Sequence, residues 1–114
     1  MKFYSYGPCS TCRKALAWLK ERDLHVAPID ITTQPPSRDE LAMALEQLGR
    51  KRLFNTSGQS YRALGAAAVA AMSDDQALDA LAADGRLIKR PLLITEQHQV
   101  LTGFKPEEWS ALLM

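Results

Sequence analysis

The order of apolar and polar positions predicts that strands and helices alternate along the chain. A short aromatic run, Lys2 to Tyr6, is typical of a β-strand and stops at Gly7-Pro8. From Ser10 to about Arg22, apolar residues recur at helical spacing, with basic and acidic residues on the other face. The run His25 to Ile31 predicts a second strand, in which Pro28 favours an edge or irregular position.

A capping box opens the middle of the chain. Ser37 with Glu40 predicts the start of a helix, and Gly49 predicts its end, where a positive φ is common. Residues 50–72 are less regular. They contain a polar turn, Asn55 to Ser60, followed by short alanine-rich helical pieces.

A second capping box, Ser73 with Gln76, predicts another helix, with Gly85 as its stop. Residues 91–102 predict a β-hairpin, and Pro106 predicts the first turn of a closing helix. This order indicates an α/β, thioredoxin-like fold, in which a mixed four-stranded sheet is flanked by helices. A helical insertion over approximately residues 37–86 separates strands 2 and 3.

Length, composition and charge exclude several classes of protein. At 114 residues the chain is long enough for one core, so a single domain over residues 1–114 is expected. The net charge is +1 and the basic residues form no dense block, so no direct contact with nucleic acid is expected. There is no signal-peptide pattern and no apolar run of roughly 18 residues. We therefore expect a cytoplasmic monomer without membrane contact.

The only two cysteines, Cys9 and Cys12, lie on the predicted turn between the first strand and the first helix. Cytosolic thiols stay reduced, so a close pair is more often catalytic, sensing or metal-binding than a permanent crosslink. Positions i and i+3 share a helix face, and a helix N-terminus favours a thiolate. Arg13 and Lys14 add positive charge. We therefore expect a lowered pKa for Cys9, the nucleophile, while Cys12 resolves the mixed disulfide.

The residues around the cysteine pair allow further roles for it. The backbone of Ser10, Thr11 and Cys12 could hold an oxyanion against the sulfur, as helix N-termini do. A zinc site would need four ligands, and only His25 and His98 are available besides the cysteines, at the wrong spacing, so no metal is expected. Two unreactive buried thiols are the remaining alternative.

Four segments in this order resemble one known family. They are CSTCRKALAWL after the first strand, LFNTSGQSYRALG, LIKRPLLI and VLTGFKPEEW. Together they resemble the family that joins glutaredoxin-coupled arsenate reductases to the Spx and MgsR redox regulators. The resemblance covers nearly the whole chain and implies the same thioredoxin-like fold with a helical insertion.

The resemblance also implies roles for particular residues. Cys9 matches the catalytic cysteine of the reductases, and Cys12 matches a position that is usually serine in them and cysteine in the Spx type. Arg90 matches an arginine that binds the oxyanion, and Pro91 matches the family's cis-proline. Asn55 is expected to line the thiol cleft, although a polar turn between helices explains that segment nearly as well.

Three positions depart from the reductases. Ser5 replaces a first-strand histidine, Asn55 replaces a second anion-binding arginine, and Gly103 or Phe104 stands in place of a third. With one arginine of three in place, arsenate binding loses much of its charge-assisted support. Efficient arsenate reduction is therefore not expected.

Two functions follow from the resemblance. The leading one is reduction of a disulfide or oxyanion by Cys9 and Cys12, with no bound cofactor and with glutathione or a glutaredoxin-type protein as electron source. The alternative is a redox switch that binds the C-terminal domain of the RNA polymerase α subunit. Gly49 matches a glycine at that contact in Spx-type proteins, although a helix end alone explains a glycine there. The arginine deficit favours the switch, whereas the basic tail that follows in those regulators is not present in this sequence, which favours the enzyme.

Overall fold

The computed structural model describes residues 1–114 and contains one mixed four-stranded sheet. The strands are β1 (Lys2–Ser5), β2 (Pro28–Asp30), β3 (Leu92–Ile94) and β4 (Val100–Thr102). Their order across the sheet is β2-β1-β3-β4, with β1 parallel to β2 and antiparallel to β3, and with β3 antiparallel to β4. The predicted fold class is confirmed.

Seven α-helices flank the sheet, and five of them lie between β2 and β3, where the insertion was predicted. The helices are α1 (Ser10–Glu21), α2 (Arg38–Leu48), α3 (Arg50–Leu53), α4 (Gln59–Leu64), α5 (Ala66–Ala71), α6 (Asp74–Ala83) and α7 (Pro106–Leu113). No helix is both long and apolar enough to cross a membrane.

The second strand is shorter than the predicted run of residues 25–31. It holds only three residues, begins at Pro28 and pairs with β1 at the edge of the sheet, where Phe3 faces Pro28. An edge strand tolerates proline because one side of its backbone has no strand to bond with. The predicted edge position is confirmed.

Both predicted capping boxes are present. The Ser37 hydroxyl accepts the Glu40 N–H at 3.1 Å, and the Glu40 carboxylate accepts the Ser37 N–H at 2.9 Å. Ser73 and Gln76 make the same two bonds at the start of α6. Gly49 ends α2 with φ of +78°, a conformation that favours glycine.

The predicted role of Gly85 as the stop of α6 is wrong. The helix ends at Ala83, and Gly85 begins a short 3₁₀ turn in which the Arg86 N–H donates to the Asp84 carboxylate at 2.9 Å. Gly85 is buried against the backbone of Ile31, and a Cβ there would overlap the Ile31 carbonyl oxygen. A glycine is needed because two backbone segments approach closely.

The sheet separates two apolar clusters. Phe3, Leu93 and Leu101 lie opposite one another on neighbouring strands and pack against α1 and against Trp109 of α7. The other face packs against the helical insertion. Its fully buried members include Ile31, Leu41, Leu53, Phe54, Leu81, Ile88 and Leu92. The loop between β1 and α1 therefore rests on a sheet that is buried on both faces.

Candidate functional site

Cys9 is the N-cap residue of α1. The chain turns after β1, and the Cys9 N–H donates to the Tyr6 carbonyl at 2.9 Å. The Cys12 N–H donates to the Cys9 sulfur, 3.4 Å away. This is the bond that a serine or aspartate oxygen makes at an ordinary N-cap, here with sulfur as the acceptor. The sulfur is thus held at the positive end of the helix.

These contacts lower the pKa of Cys9. Burial raises it, but hydrogen bonds from the Cys12 N–H, the Cys12 thiol, the Arg90 side chain and the Thr11 N–H together outweigh burial. The sequence predicted the direction from the helix N-terminus and from Arg13 and Lys14. The structure assigns the charged contact to Arg90 instead.

The pKa of Cys12 is shifted in the opposite direction to that of Cys9. Its side chain is buried, with 1% of its surface exposed. Burial raises the pKa of Cys12 to about 11, and the hydrogen bond to the Cys9 sulfur adds to the increase, while groups of Ser5 and Tyr6 oppose it. At neutral pH one thiol of the pair therefore ionises far more easily than the other.

Arg90 connects the thiol to the preceding turn. Its guanidinium carbon lies 4.7 Å from the centroid of the Tyr6 ring, within the distance of a cation–π contact. The following peptide bond, Arg90-Pro91, is cis, as the resemblance implied. Pro91 is buried, and its carbonyl accepts the Gly103 N–H at 3.0 Å.

A cleft of about 580 Å³ opens beside Cys9. Four of the predicted site residues line it, namely Cys9, Thr11, Asn55 and Arg90. Its other lining residues are Arg52, Ser57, Gly58, Lys89, Thr102, Gly103, Phe104 and Lys105. The structure thus brings together residues from α1, the insertion, the segment before β3 and the segment after β4.

Other predicted residues lie outside the cleft. Ser10 and Arg13 are exposed on α1, and Arg13 donates to the Gly7 carbonyl at 3.2 Å. Pro91 is buried beside the cleft without lining it. Gly49 is exposed between α2 and α3, also outside it. The roles of these residues stay predictions.

Three cations that line the cleft, Arg52, Lys89 and Lys105, were not predicted from the sequence. Lys89 directly precedes Arg90, and Lys105 follows the segment where the third arginine of the reductases is missing. The basic residues in LIKRP and GFKP were the available signal. The cleft is therefore more basic than the absence of two arginines indicated.

The residues that differ from the reductases at the three positions lie in or near the cleft and the cysteine pair. Ser5 is buried at the end of β1, near the Cys12 sulfur. Asn55 packs against Gly58, where an added Cβ would lie 2.7 Å from the Asn55 amide nitrogen. Gly103 and Phe104 form part of the cleft wall.

No group of three or more histidine, cysteine, aspartate or glutamate side chains could hold a metal ion. His25 and His98 are both exposed, and neither lines the cleft.

Comparison with known proteins gives consistent matches over nearly the whole chain. The model of the ArsC family matches residues 4–112. The chain is 45% identical to the uncharacterized protein YusI of Bacillus subtilis, over 96% of this chain and 94% of YusI. It is 31% identical to the global transcriptional regulator Spx of Streptococcus pyogenes, over 92% of this chain and 78% of Spx. The crystal structure of a possible arsenate reductase from Streptococcus mutans superposes with a TM-score of 0.85, at 44% identity and 96% coverage of each chain.

Proposed function

Because this chain belongs to the ArsC family, we propose that it is a thiol oxidoreductase with Cys9 as nucleophile and Cys12 as resolving thiol. One observation carries the proposal. The two thiols differ in ionisation, with the pKa of Cys9 lowered and that of Cys12 raised to about 11. A low-pKa sulfur beside a protonated partner is suited to attack first and to be resolved afterwards.

We expect the reduction of a substrate disulfide to take place in two thiol–disulfide exchange steps. The Cys9 thiolate attacks one sulfur of a substrate disulfide, the substrate S–S bond breaks, and one half leaves as a thiolate that takes up a proton. Cys12 then loses its proton to solvent and attacks the Cys9 sulfur, which releases the second half. Two electrons pass to the substrate, and the protein is left with a Cys9–Cys12 disulfide.

A reductant must then restore the dithiol. Two molecules of glutathione, or one dithiol glutaredoxin-type protein, would supply the two electrons and become oxidised. An oxyanion such as arsenate is a second substrate class for the same two-electron chemistry, with Arg90 supplying positive charge beside the sulfur. We expect a one-domain monomer in the cytoplasm, where the thiols are kept reduced.

Thiol trapping followed by mass spectrometry tests this function. With glutathione disulfide, the unsubstituted protein should form the intramolecular disulfide, and Cys12→Ser should stop at a mixed disulfide on Cys9. Cys9→Ser should react much more slowly, because the remaining thiol is buried. If the two single variants react at equal rates, the assignment of nucleophile and resolving thiol is wrong.

A non-enzymatic redox switch is the second candidate, favoured by the similarity to the Spx regulator. In that case the disulfide would change a surface offered to the C-terminal domain of the RNA polymerase α subunit, with Gly49 in the contact. Capture of that domain by the reduced and oxidised protein tests it. A redox-dependent difference without multiple turnovers with glutathione supports the switch, and multiple turnovers without capture support the enzyme.

A further inference from the structure

The cleft at Cys9 is larger than a tetrahedral oxyanion needs. Its volume of about 580 Å³ lies within the range of cavities that hold drug-sized ligands, roughly 300–1,000 Å³. A neighbouring cavity of about 300 Å³ shares Asn55, Gly58 and Arg90 with it. A peptide-sized thiol compound fits this space, whereas a small oxyanion would leave most of it to water.

Three of the four cations in the cleft have no acidic partner. Arg52 makes an ion pair with Glu108 at 2.9 Å. Lys89, Arg90 and Lys105 make no ion pair with any residue of the chain, and no aspartate or glutamate lines the cleft. Because Arg90 is already engaged at the reactive sulfur, the two lysines are the cations left to meet a ligand.

The backbone of both lysines is fixed while their side chains stay exposed. The Lys89 N–H donates to the Leu53 carbonyl at 2.8 Å, and the Lys89 carbonyl accepts the Thr102 hydroxyl at 3.1 Å. Lys105 is the N-cap residue of α7, and its carbonyl accepts the Trp109 N–H at 3.1 Å. Both lysines are thus fixed in the wall of the cleft by their backbone, and their side chains are exposed to solvent.

We propose that Lys89 and Lys105 form a carboxylate-binding subsite that selects disulfides carrying carboxylates, of which glutathione disulfide is the probe. This inference rests on the proposed function and adds the substrate class to it. Carboxylates of the substrate meet the two ammonium groups while one of its sulfurs meets the Cys9 thiolate. The two-step exchange described above then reduces the substrate to two thiols. When the substrate is glutathione disulfide, a dithiol glutaredoxin-type protein returns the two electrons, because glutathione cannot cause net reduction of its own disulfide. A basic cleft raises the local concentration of anionic substrates and speeds their encounter.

Single-turnover kinetics in the Cys12→Ser background test the subsite. The rate constant for mixed-disulfide formation at Cys9 is measured with three disulfides: anionic glutathione disulfide, neutral bis(2-hydroxyethyl) disulfide and cationic cystamine. The double substitution Lys89→Gln and Lys105→Gln should slow the reaction of glutathione disulfide about tenfold. It should change that of the neutral disulfide by less than about twofold and speed that of cystamine.

Lys20→Gln is the matched control, because it removes one lysine charge at the far end of α1, away from the cleft, and it should change none of the three rates. Equal slowing of all three disulfides by the double substitution would overturn the subsite, since the lysines would then act on Cys9 itself. Unchanged rates would also overturn it. If the protein that retains both lysines reacts with none of the disulfides, the proposed function fails, and the inference that rests on it fails too.

Discussion

The Arg90 guanidinium carbon lies 4.7 Å from the centroid of the Tyr6 ring, and the Arg90 side chain helps to lower the pKa of the Cys9 thiol. The cation that favours the thiolate is therefore also in contact with an aromatic ring of the turn that precedes Cys9. The backbone of Tyr6 also accepts the Cys9 N–H. One residue thus positions both the sulfur and its counter-charge.

Arg90→Gln should raise the pKa of Cys9, because the charged hydrogen bond that favours the thiolate is lost. Alkylation of Cys9 by iodoacetamide at neutral pH should slow several-fold, and the pH profile of that rate checks the shift. Arg13→Gln is the control, since Arg13 bonds only to the Gly7 carbonyl and does not line the cleft. Equal shifts from both substitutions would show that general positive charge, and not the Arg90 contact, sets the pKa.

The rate of Cys12 attack on a mixed disulfide at Cys9 should increase with pH throughout the neutral range. Burial holds Cys12 protonated, with a pKa raised to about 11 in the dithiol state. Its thiolate fraction therefore grows about tenfold for each pH unit below that pKa. Rapid-quench measurement of the thiol released from Cys9 checks this. A plateau reached by about pH 9 would mean that Cys12 ionises as an ordinary thiol.

The elements that could be predicted from sequence are those specified locally. The capping box of Ser37 and Glu40 depends only on residues close together in sequence, and so does the spacing of the cysteines at α1. Both can therefore be predicted from one sequence. The role predicted for Gly85 is wrong because the contact that requires a glycine there is with a distant part of the chain. Its backbone meets Ile31 from a distant segment, and a helix-stop glycine and a close-approach glycine look alike in sequence.

The candidate site was partly predictable for the same reason. Cys9, Cys12 and Arg90 stand in recognisable motifs. Lys105 lines the cleft only because the fold brings the segment between β4 and α7 close to Cys9. No periodicity in the sequence carries that information, although the pattern of missing arginines marked the right segment.

Gly85→Ala should destabilise the fold strongly. The added methyl group would overlap the Ile31 carbonyl oxygen, which belongs to backbone and cannot rotate away. Relieving the overlap separates two packed segments, so we expect a loss of about 3 kcal/mol or more in the free energy of unfolding.

Gly7→Ala is the matched control, because Gly7 is exposed and nothing lies within 4 Å of its added Cβ. Its effect should stay within about 0.5 kcal/mol. Urea unfolding of both variants checks the difference. Similar midpoints for the two alanine variants would mean that the Gly85 contact relaxes without cost.

Glu40 joins β1 to the start of α2 through three hydrogen bonds. Its carboxylate accepts the Ser37 N–H, the Tyr4 hydroxyl and the Lys2 ammonium, each at 2.9 Å. Burial raises the pKa of Glu40, but these three groups outweigh it and hold the pKa below the ordinary value of 4.5. A carboxylate with a lowered folded-state pKa contributes stability that is full above its unfolded pKa. That contribution is lost as the pH falls through the folded-state pKa.

Glu40→Gln should therefore cost about 1 kcal/mol of unfolding free energy at pH 7, and less than half of that near pH 3. The amide keeps the capping bond, as Gln76 does in the second capping box, so the substitution removes mainly the charge. Asp39→Asn is the control, since Asp39 is an exposed acid in the same helical turn without a hydrogen-bond partner. It should change stability by no more than a few tenths of a kcal/mol at either pH. Denaturant unfolding at the two pH values measures both variants. A Glu40→Gln cost that stays the same at pH 3 would show that the loss comes from packing and not from the carboxylate charge.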